Sequence, residues 1–337
     1  MCKLNKDNIK NFNKRGDKLA YTNLIFFVLS CIILVLSGSW CVRSLAKLTK
    51  ALRLNEFSVG FIIMAVSTSI PELFVGITSA FEGTPLLSVG NLIGANIIGL
   101  TLISGIIILL RRGIKIKSKT IRKDALYMFF ITLIPLALFV FDRKLSRLDG
   151  IILIIIFSLY ILKLLKQEKE FKSHIKDGFR INILFLLLTF IASLVLLFIS
   201  SELAVRFGTS LSIELALPVI FIGLFFVSVG TTLPELIFES SAVLKGHPEM
   251  ALGTIIGSVV ANITLILGIV ALISPITGNF IILLSSAIFM IIVSFLFATF
   301  VESGSKLSWK EGVSLIMLYT FFVIIEFYIK IVSNSGV

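Results

Sequence analysis

Ser67-Thr68-Ser69-Ile70-Pro71-Glu72 recurs 163 residues later as Gly230-Thr231-Thr232-Leu233-Pro234-Glu235. The same offset carries Gly60 to Gly223, Gly90 to Gly253, Gly94 to Gly257, Thr101 to Thr264 and Gly105 to Gly268. Upstream, Val42-Arg43 falls on Val205-Arg206. One ungapped offset held over about 65 residues marks an internal duplication. Each copy sets a glutamate inside an apolar segment. An ionisable group there is costly in lipid and points to a functional site.

The segments around the motifs have the composition of a membrane protein. Of 337 residues, 57% are hydrophobic, and the mean hydropathy is +1.06. That lies well above the apolar share of a soluble domain. Apolar runs of about 20 residues, the length that crosses a bilayer, recur from end to end. Ten membrane helices are expected. The first half places them at 21–47, 56–81, 86–111, 121–141 and 147–165. The second half places them at 181–207, 215–244, 249–273, 279–301 and 309–331. Residues 1–20 read as a polar tail, disordered or interfacial, and 166–180 as a charged linker between the repeats 21–165 and 181–337. Five helices per half is an odd number, so the second half enters the membrane from the opposite side. The expected fold is an all-α polytopic membrane protein of two inverted-topology five-helix repeats. In such architectures the ion site lies at the repeat interface.

A net charge of +12 does not point to nucleic acid here, because the basic residues lie between apolar segments and in the first 20 residues. They read as topology signals and lipid-headgroup contacts. The loops after helices one, three, five, seven and nine hold 20 of the 31 Lys and Arg. The positive-inside rule puts these loops in the cytoplasm and both termini outside, against the signal of the basic N-terminal tail. Cys31 and Cys41 lie ten residues apart on one helix, about 15 Å along its axis, too far for a disulfide. Cys2, His174 and His247 show no metal-site spacing. The first apolar stretch is too long for a signal-peptide core and reads as a membrane helix. No His-Glu-x-x-His pair, nucleophile elbow or pair of catalytic aspartates is present, so an enzyme is not expected. The expected partners are the lipid bilayer and inorganic cations. Neither nucleic acid, an obligate protein partner nor a cofactor is called for, and a plasma-membrane location is expected.

A proline cannot donate to the carbonyl four residues back, and its ring clashes with it. Pro71 therefore frees the carbonyl of Ser67, and Pro234 frees that of Gly230. Broken helix at membrane depth is tolerated where it is buried or lines a polar cavity. Thr68, Ser69, Thr231 and Thr232 add hydroxyls, and Glu72 and Glu235 add two carboxylates. Hard cations such as Ca²⁺ take six to eight oxygens of this kind. Two plain proline kinks would account for the Ser/Thr-Pro segments, but not for glutamates at repeat-related positions. Small residues follow each motif and allow close helix approach. They are Gly90, Gly94, Ala95, Gly99, Ser104 and Gly105 on the third helix. On the eighth they are Gly253, Gly257, Ser258, Ala261 and Gly268. Ser258 and Asn262, spaced i, i+4, share one face and are polar candidates to meet the site.

These segments resemble the paired alpha-repeats of the calcium/cation antiporter superfamily, most closely the sodium/calcium exchangers, over nearly all ten helices. The resemblance implies ten helices in two inverted halves with four ion sites at the centre. It makes Glu72 and Glu235 the acidic ligands shared by Ca²⁺ and Na⁺, and Thr68 and Thr231 carbonyl and hydroxyl ligands. Ser69 and Thr232 then line flanking Na⁺ sites, Ala65 and Ser228 offer backbone carbonyls, and Ser258 matches a serine ligand. The chain also departs from the pattern. Ala95 stands where the first repeat usually has a serine. Gly99 and Asn262 stand where exchangers often carry Asn and Asp. Gly-Asn-x-x-Gly-Ser-Asn is intact neither in Gly90-Asn91-Leu92-Ile93-Gly94-Ala95-Asn96 nor in Gly253-Thr254-Ile255-Ile256-Gly257-Ser258-Val259. Glu239, one turn after Glu235 and mated to Gly76, faces either the site or a polar access path. The expected activity is alternating-access exchange of Ca²⁺ for Na⁺. A proton-coupled exchanger is the alternative, and a cation channel is the reading from a different class.

Overall fold

The computed structural model describes residues 6–51, 66–167, 183–278, 280–303 and 306–334. Helices α1 (Lys6–Ala51), α2 (Ile70–Phe81), α3 (Pro85–Leu110), α4 (Lys119–Asp142) and α5 (Arg147–Gln167) make the first half. Helices α6 (Ile183–Glu214), α7 (Val219–Leu244), α8 (Pro248–Ile273), α9 (Phe280–Ser303) and α10 (Trp309–Asn334) make the second. Among the described residues nine of these are long and apolar enough to cross a membrane, and α2 is a shorter apolar helix. The expected second helix, 56–81, begins outside the described residues, as does nearly all of the expected linker 166–180.

Two helices extend past their expected bounds. Helix α1 starts at Lys6, so residues 6–20, expected as a polar tail either disordered or interfacial, are helical. Its 46 residues span about 69 Å against a hydrocarbon layer of about 30 Å, which leaves the polar start outside the apolar span. Helix α6 continues two turns past 207 because Leu211 and Ser212 are still buried. It stops where Ala216 turns to a φ of 49°.

The duplication is visible as a two-fold pattern of contacts. α1 packs on α6 and α4 on α9, each on its own repeat mate. α2 packs on α6 as α7 packs on α1, and α5 on α8 as α10 on α3. The α1–α6 pair is antiparallel: Gly208 faces Phe27, and Gly38 faces Leu197. Two short backbone pairings prove the inversion. Strand β1 (Gly113–Lys115) pairs antiparallel with β2 (Lys306–Ser308), with Gly113 opposite Ser308. Leu145 pairs with Ile276. Adding 163 to Gly113 gives Ile276, and subtracting it from Ser308 gives Leu145, so each pairing is the mate of the other. The first precedes α4 and the second follows it. The 24 residues of α4 separate them by about 36 Å, so repeat mates lie on opposite faces of the bundle.

Local signals repeat in the same way. α2 and α7 both end in a Schellman turn closed by a glycine with positive φ, Gly83 at 70° and Gly246 at 96°. Thr84 N–H donates to the Ser79 carbonyl at 2.8 Å, and His247 N–H to that of Ala242 at 2.9 Å. Only glycine takes this conformation at no steric cost. Pro85 and Pro248 then open the next helix, where their missing N–H is not needed. The small residues let α3 and α7 cross with their backbones in contact. A methyl group on Gly90 would lie 2.1 Å from the Ile220 carbonyl oxygen, and one on Gly223 at 2.1 Å from that of Leu87.

The buried apolar residues form two clusters. The larger spans α3, α4, α5, α8, α9 and α10. The smaller joins α1 and α6, through Phe27, Leu34, Leu197 and Val205, to a few residues of α2, α3 and α7.

Candidate functional site

The two motifs share a sequence but not a backbone. In the first, residues 66–68 are helical, Ser69 (φ −87°, ψ 4°) interrupts, and α2 restarts with Pro71 in its opening turn. In the second, α7 stays helical with Pro234 inside it. The expected break is therefore present once. In the second copy the hydroxyls are back-bonded: Thr232 donates to the Ser228 carbonyl at 2.7 Å, and Ser228 to that of Leu224 at 2.6 Å. About one turn upstream, α7 carries a π-helical turn at Gly223–Val227. Two further π turns, Gly99–Ile103 in α3 and Ala261–Ile266 in α8, are repeat mates. Each inserts a residue that swings the following side chains around the helix, a device common at functional sites. Sequence reading missed all three, because no residue type demands them.

The fold brings Thr68, Ser69, Glu72, Thr231, Glu235 and Ser258 together. Thr68, Ser69, Glu72, Ser228, Thr231, Thr232, Glu235, Ser258 and Asn262 are all buried. Ala65 lies outside the described residues. Glu72 and Glu235 are within electrostatic reach of each other. The Ser258 hydroxyl donates to Glu235 Oε1 at 2.5 Å and lies 3.0 Å from Ser69 Oγ. Thr68 stands beside Glu235, and Thr231 beside Glu72, so each carboxylate meets the threonine of the other repeat. The Thr231 hydroxyl also lies 3.1 Å from Asn91 Oδ1 and 3.2 Å from the Ser228 carbonyl oxygen. Both carboxylate oxygens of Glu72 are left without a hydrogen-bond partner. Gly38 of α1 touches both motif prolines: a methyl there would lie 3.0 Å from Pro71 Cγ and 3.1 Å from Pro234 Cγ.

Two asparagines join the site that sequence reading did not single out. Asn91 meets Thr231 as described. Asn96 accepts from Asn262 Nδ2 at 2.9 Å, tying α3 to α8, and leaves Asn262 Oδ1 unpartnered. Both lie in the quoted Gly90–Asn96 stretch, which was the available signal. Around Gly99 a methyl group would meet nothing within 4 Å.

The donor set is two carboxylates with hydroxyl, amide and carbonyl oxygens. Among the described residues no three of His, Cys, Asp and Glu gather as a metal cluster. Such oxygens suit a hard, exchangeable cation better than a tightly held transition metal. An uncompensated pair of buried carboxylates is unfavourable, so a bound cation stabilises this arrangement.

Comparison with known proteins agrees with that chemistry. The sequence profile of the family described as sodium/calcium exchanger protein matches residues 22–166 and 185–328, the two halves in turn. The chain is 27% identical over 352 residues to the sodium/calcium exchanger MaX1 of Methanosarcina acetivorans, covering 91% of this chain and 99% of that one. It is 28% identical over 261 residues to the inner membrane protein YrbG of Escherichia coli, covering 74% and 79%. The fold superimposes on that of the sodium-calcium exchanger NCX_Mj with a TM-score of 0.65 at 24% identity, covering 90% of this chain and 98% of that one. The duplicated halves, the inverted helices and the profile match over both repeats together place this multi-pass membrane protein in the sodium/calcium exchanger family, a family of transporters and not of enzymes.

Proposed function

We propose that the chain is an alternating-access antiporter of the plasma membrane that exchanges Ca²⁺ for Na⁺ at one shared site. Glu72 and Glu235 are the acidic ligands. Thr68, Thr231, Ser69, Thr232, Ser258, Asn262 and the carbonyls of Ala65 and Ser228 complete the coordination. The observation that carries this reading is a pair of repeat-related glutamates, buried within electrostatic reach of each other, one of them with no partner for either oxygen. Empty, the site holds two uncompensated charges in a low-dielectric interior and resists the movement that changes its exposure. One Ca²⁺ neutralises it, and so do two Na⁺. Competition for the same carboxylates makes exchange obligatory. Ca²⁺ uptake into proteoliposomes tests the coupling: an outward Na⁺ gradient should drive it and choline replacement should stop it. Uptake that follows only an imposed pH gradient would replace Na⁺ by H⁺ as the driving ion.

Helices α1 and α6 are the elements that slide. Their interface carries buried serines at mated positions, Ser30 with Ser193 and Ser37 with Ser200. Each bonds back to a carbonyl of its own helix: Phe27, Phe190, Leu34 and Leu197 respectively. These hydroxyls do not have to be unpaired for the helices to shift. The odd-numbered loops, with the 166–180 linker, face the cytoplasm. A cysteine at position 173 should therefore stay unlabelled when an impermeant thiol reagent is applied to intact cells. Labelling there would reverse the orientation.

The ligand set also bears on stoichiometry. Ala95 and Gly99 offer no oxygen side chain, and Asn262 is neutral. With two charged ligands, a third Na⁺ lacks part of its shell. Exchange should therefore run close to electroneutral. Moving one net charge through the membrane potential is worth about 2.3 kcal/mol per 100 mV, so the test is a reversal potential across several Na⁺ and Ca²⁺ gradients. A one-charge voltage dependence would contradict the two-Na⁺ site.

A further inference from the structure

Six acidic side chains are buried among the described residues: Glu72, Asp124, Asp149, Glu235, Glu239 and Glu326. Four hold partners. Asp124 pairs with Lys163 at 3.0 Å, and Asp149 accepts from the N–H and hydroxyl of Ser146 at 2.7 Å. Glu235 accepts from Ser258, and Glu326 from Ser286 at 2.8 Å. Only Glu72 and Glu239 have both oxygens buried and unpartnered. Glu239 thus shares its signature with the proposed central ligand and with none of the structurally satisfied acids.

Its place in the fold is defined. Glu239 lies one turn beyond Glu235 on α7 and within its electrostatic reach. Five residues, about 8 Å, separate it from the end of α7 at Leu244. That end faces the side of the bundle that carries β1, because Glu249 at the start of α8 accepts from the N–H groups of Lys117 and Ser118, just past β1. The repeat-mated positions on the opposite face carry no carboxylate. The repeat mate of Glu239 is Gly76, where a methyl would meet Val270, Ile266 and the Ser88 hydroxyl. The mate of Glu249 is Leu86, which packs against Gly278.

We infer that Glu239 is the ligand of an outer cation station, between the central carboxylates and the face that carries β1. The two-fold symmetry of the transporter is thereby broken: a cation entering from that face meets a carboxylate one turn before the central site. A cation entering from the opposite face meets none. This rests on the antiport reading above, and it predicts unequal affinities on the two faces.

The test is the half-saturating Ca²⁺ concentration for ⁴⁵Ca²⁺ flux, measured on each face of oriented proteoliposomes. Glu239→Gln should raise it about tenfold on the β1 face, since Ca²⁺ affinity follows the number of charged ligands, and leave the other face within twofold. Equal shifts on both faces, or none, would overturn the outer station. If Glu239→Gln does not fold, Glu239→Asp keeps the charge but shortens the reach, and should shift the β1 face alone. A wild-type protein that carries no Ca²⁺ under any gradient would instead sink the antiport reading itself.

Discussion

Glu72→Gln and Glu235→Gln should each cut Ca²⁺ transport by about a hundredfold or more, because each removes one of two charged ligands from a site that binds a doubly charged ion. Both variants should fold. The two carboxylates differ in the structure, so the variants should differ in stability. Glu72 is buried with neither oxygen paired, whereas Glu235 holds the Ser258 hydroxyl. An uncompensated buried charge is costly, and a neutral amide of the same shape removes that cost. In ion-free detergent Glu72→Gln should therefore unfold at the wild-type temperature or above it. Added Ca²⁺ should raise the unfolding temperature of the wild type and not that of the variant. Near-normal flux in either variant, or an undiminished Ca²⁺-dependent thermal shift, would remove the assignment.

Gly223→Ala should be, with Gly90→Ala, among the most damaging small substitutions at the described residues. Its new methyl would lie 2.1 Å from the Leu87 carbonyl oxygen and 2.8 Å from the Asn91 nitrogen. Both are backbone atoms of α3, which cannot rotate aside as a side chain can. The helices would have to separate by an ångström or more, at the crossing that positions Asn91 against Thr231. Overpacking of this kind costs about 3 kcal/mol or more. The expected result is a large loss of folded, monodisperse protein in detergent. Gly99→Ala is the matched control, with open space around the new methyl. It should stay within about 1 kcal/mol of the wild type, since alanine is the better helix former. Equal tolerance of the two would mean that α3 and α7 do not cross in backbone contact.

Much of this arrangement is legible in the sequence because duplication writes it twice. The 163-residue offset pairs Glu72 with Glu235, and five helices per half imply inversion. The backbone pairings on either side of α4 bear the inversion out. Helix ends at Phe81 and Leu244 follow from Gly83 and Gly246 with the prolines after them. The rest depends on relations between distant segments. Three-residue strands at Gly113–Lys115 and Lys306–Ser308 carry no pattern long enough to read. The Asn96–Asn262 bond requires the register of α3 against α8. Identical Pro-Glu motifs adopt different backbones: α2 restarts at its proline, while α7 runs helically through Pro234.

The central claim is that Ca²⁺ and Na⁺ occupy the same pair of carboxylates. Equilibrium ⁴⁵Ca²⁺ binding to the purified protein, titrated with Na⁺ at constant ionic strength, tests it most directly. Mass action requires the apparent Ca²⁺ dissociation constant to rise as about the square of the Na⁺ concentration, two Na⁺ displacing one Ca²⁺. Binding should disappear in the Glu72→Gln, Glu235→Gln double variant. Ca²⁺ binding that ignores Na⁺, or that survives the double substitution, would contradict a shared site.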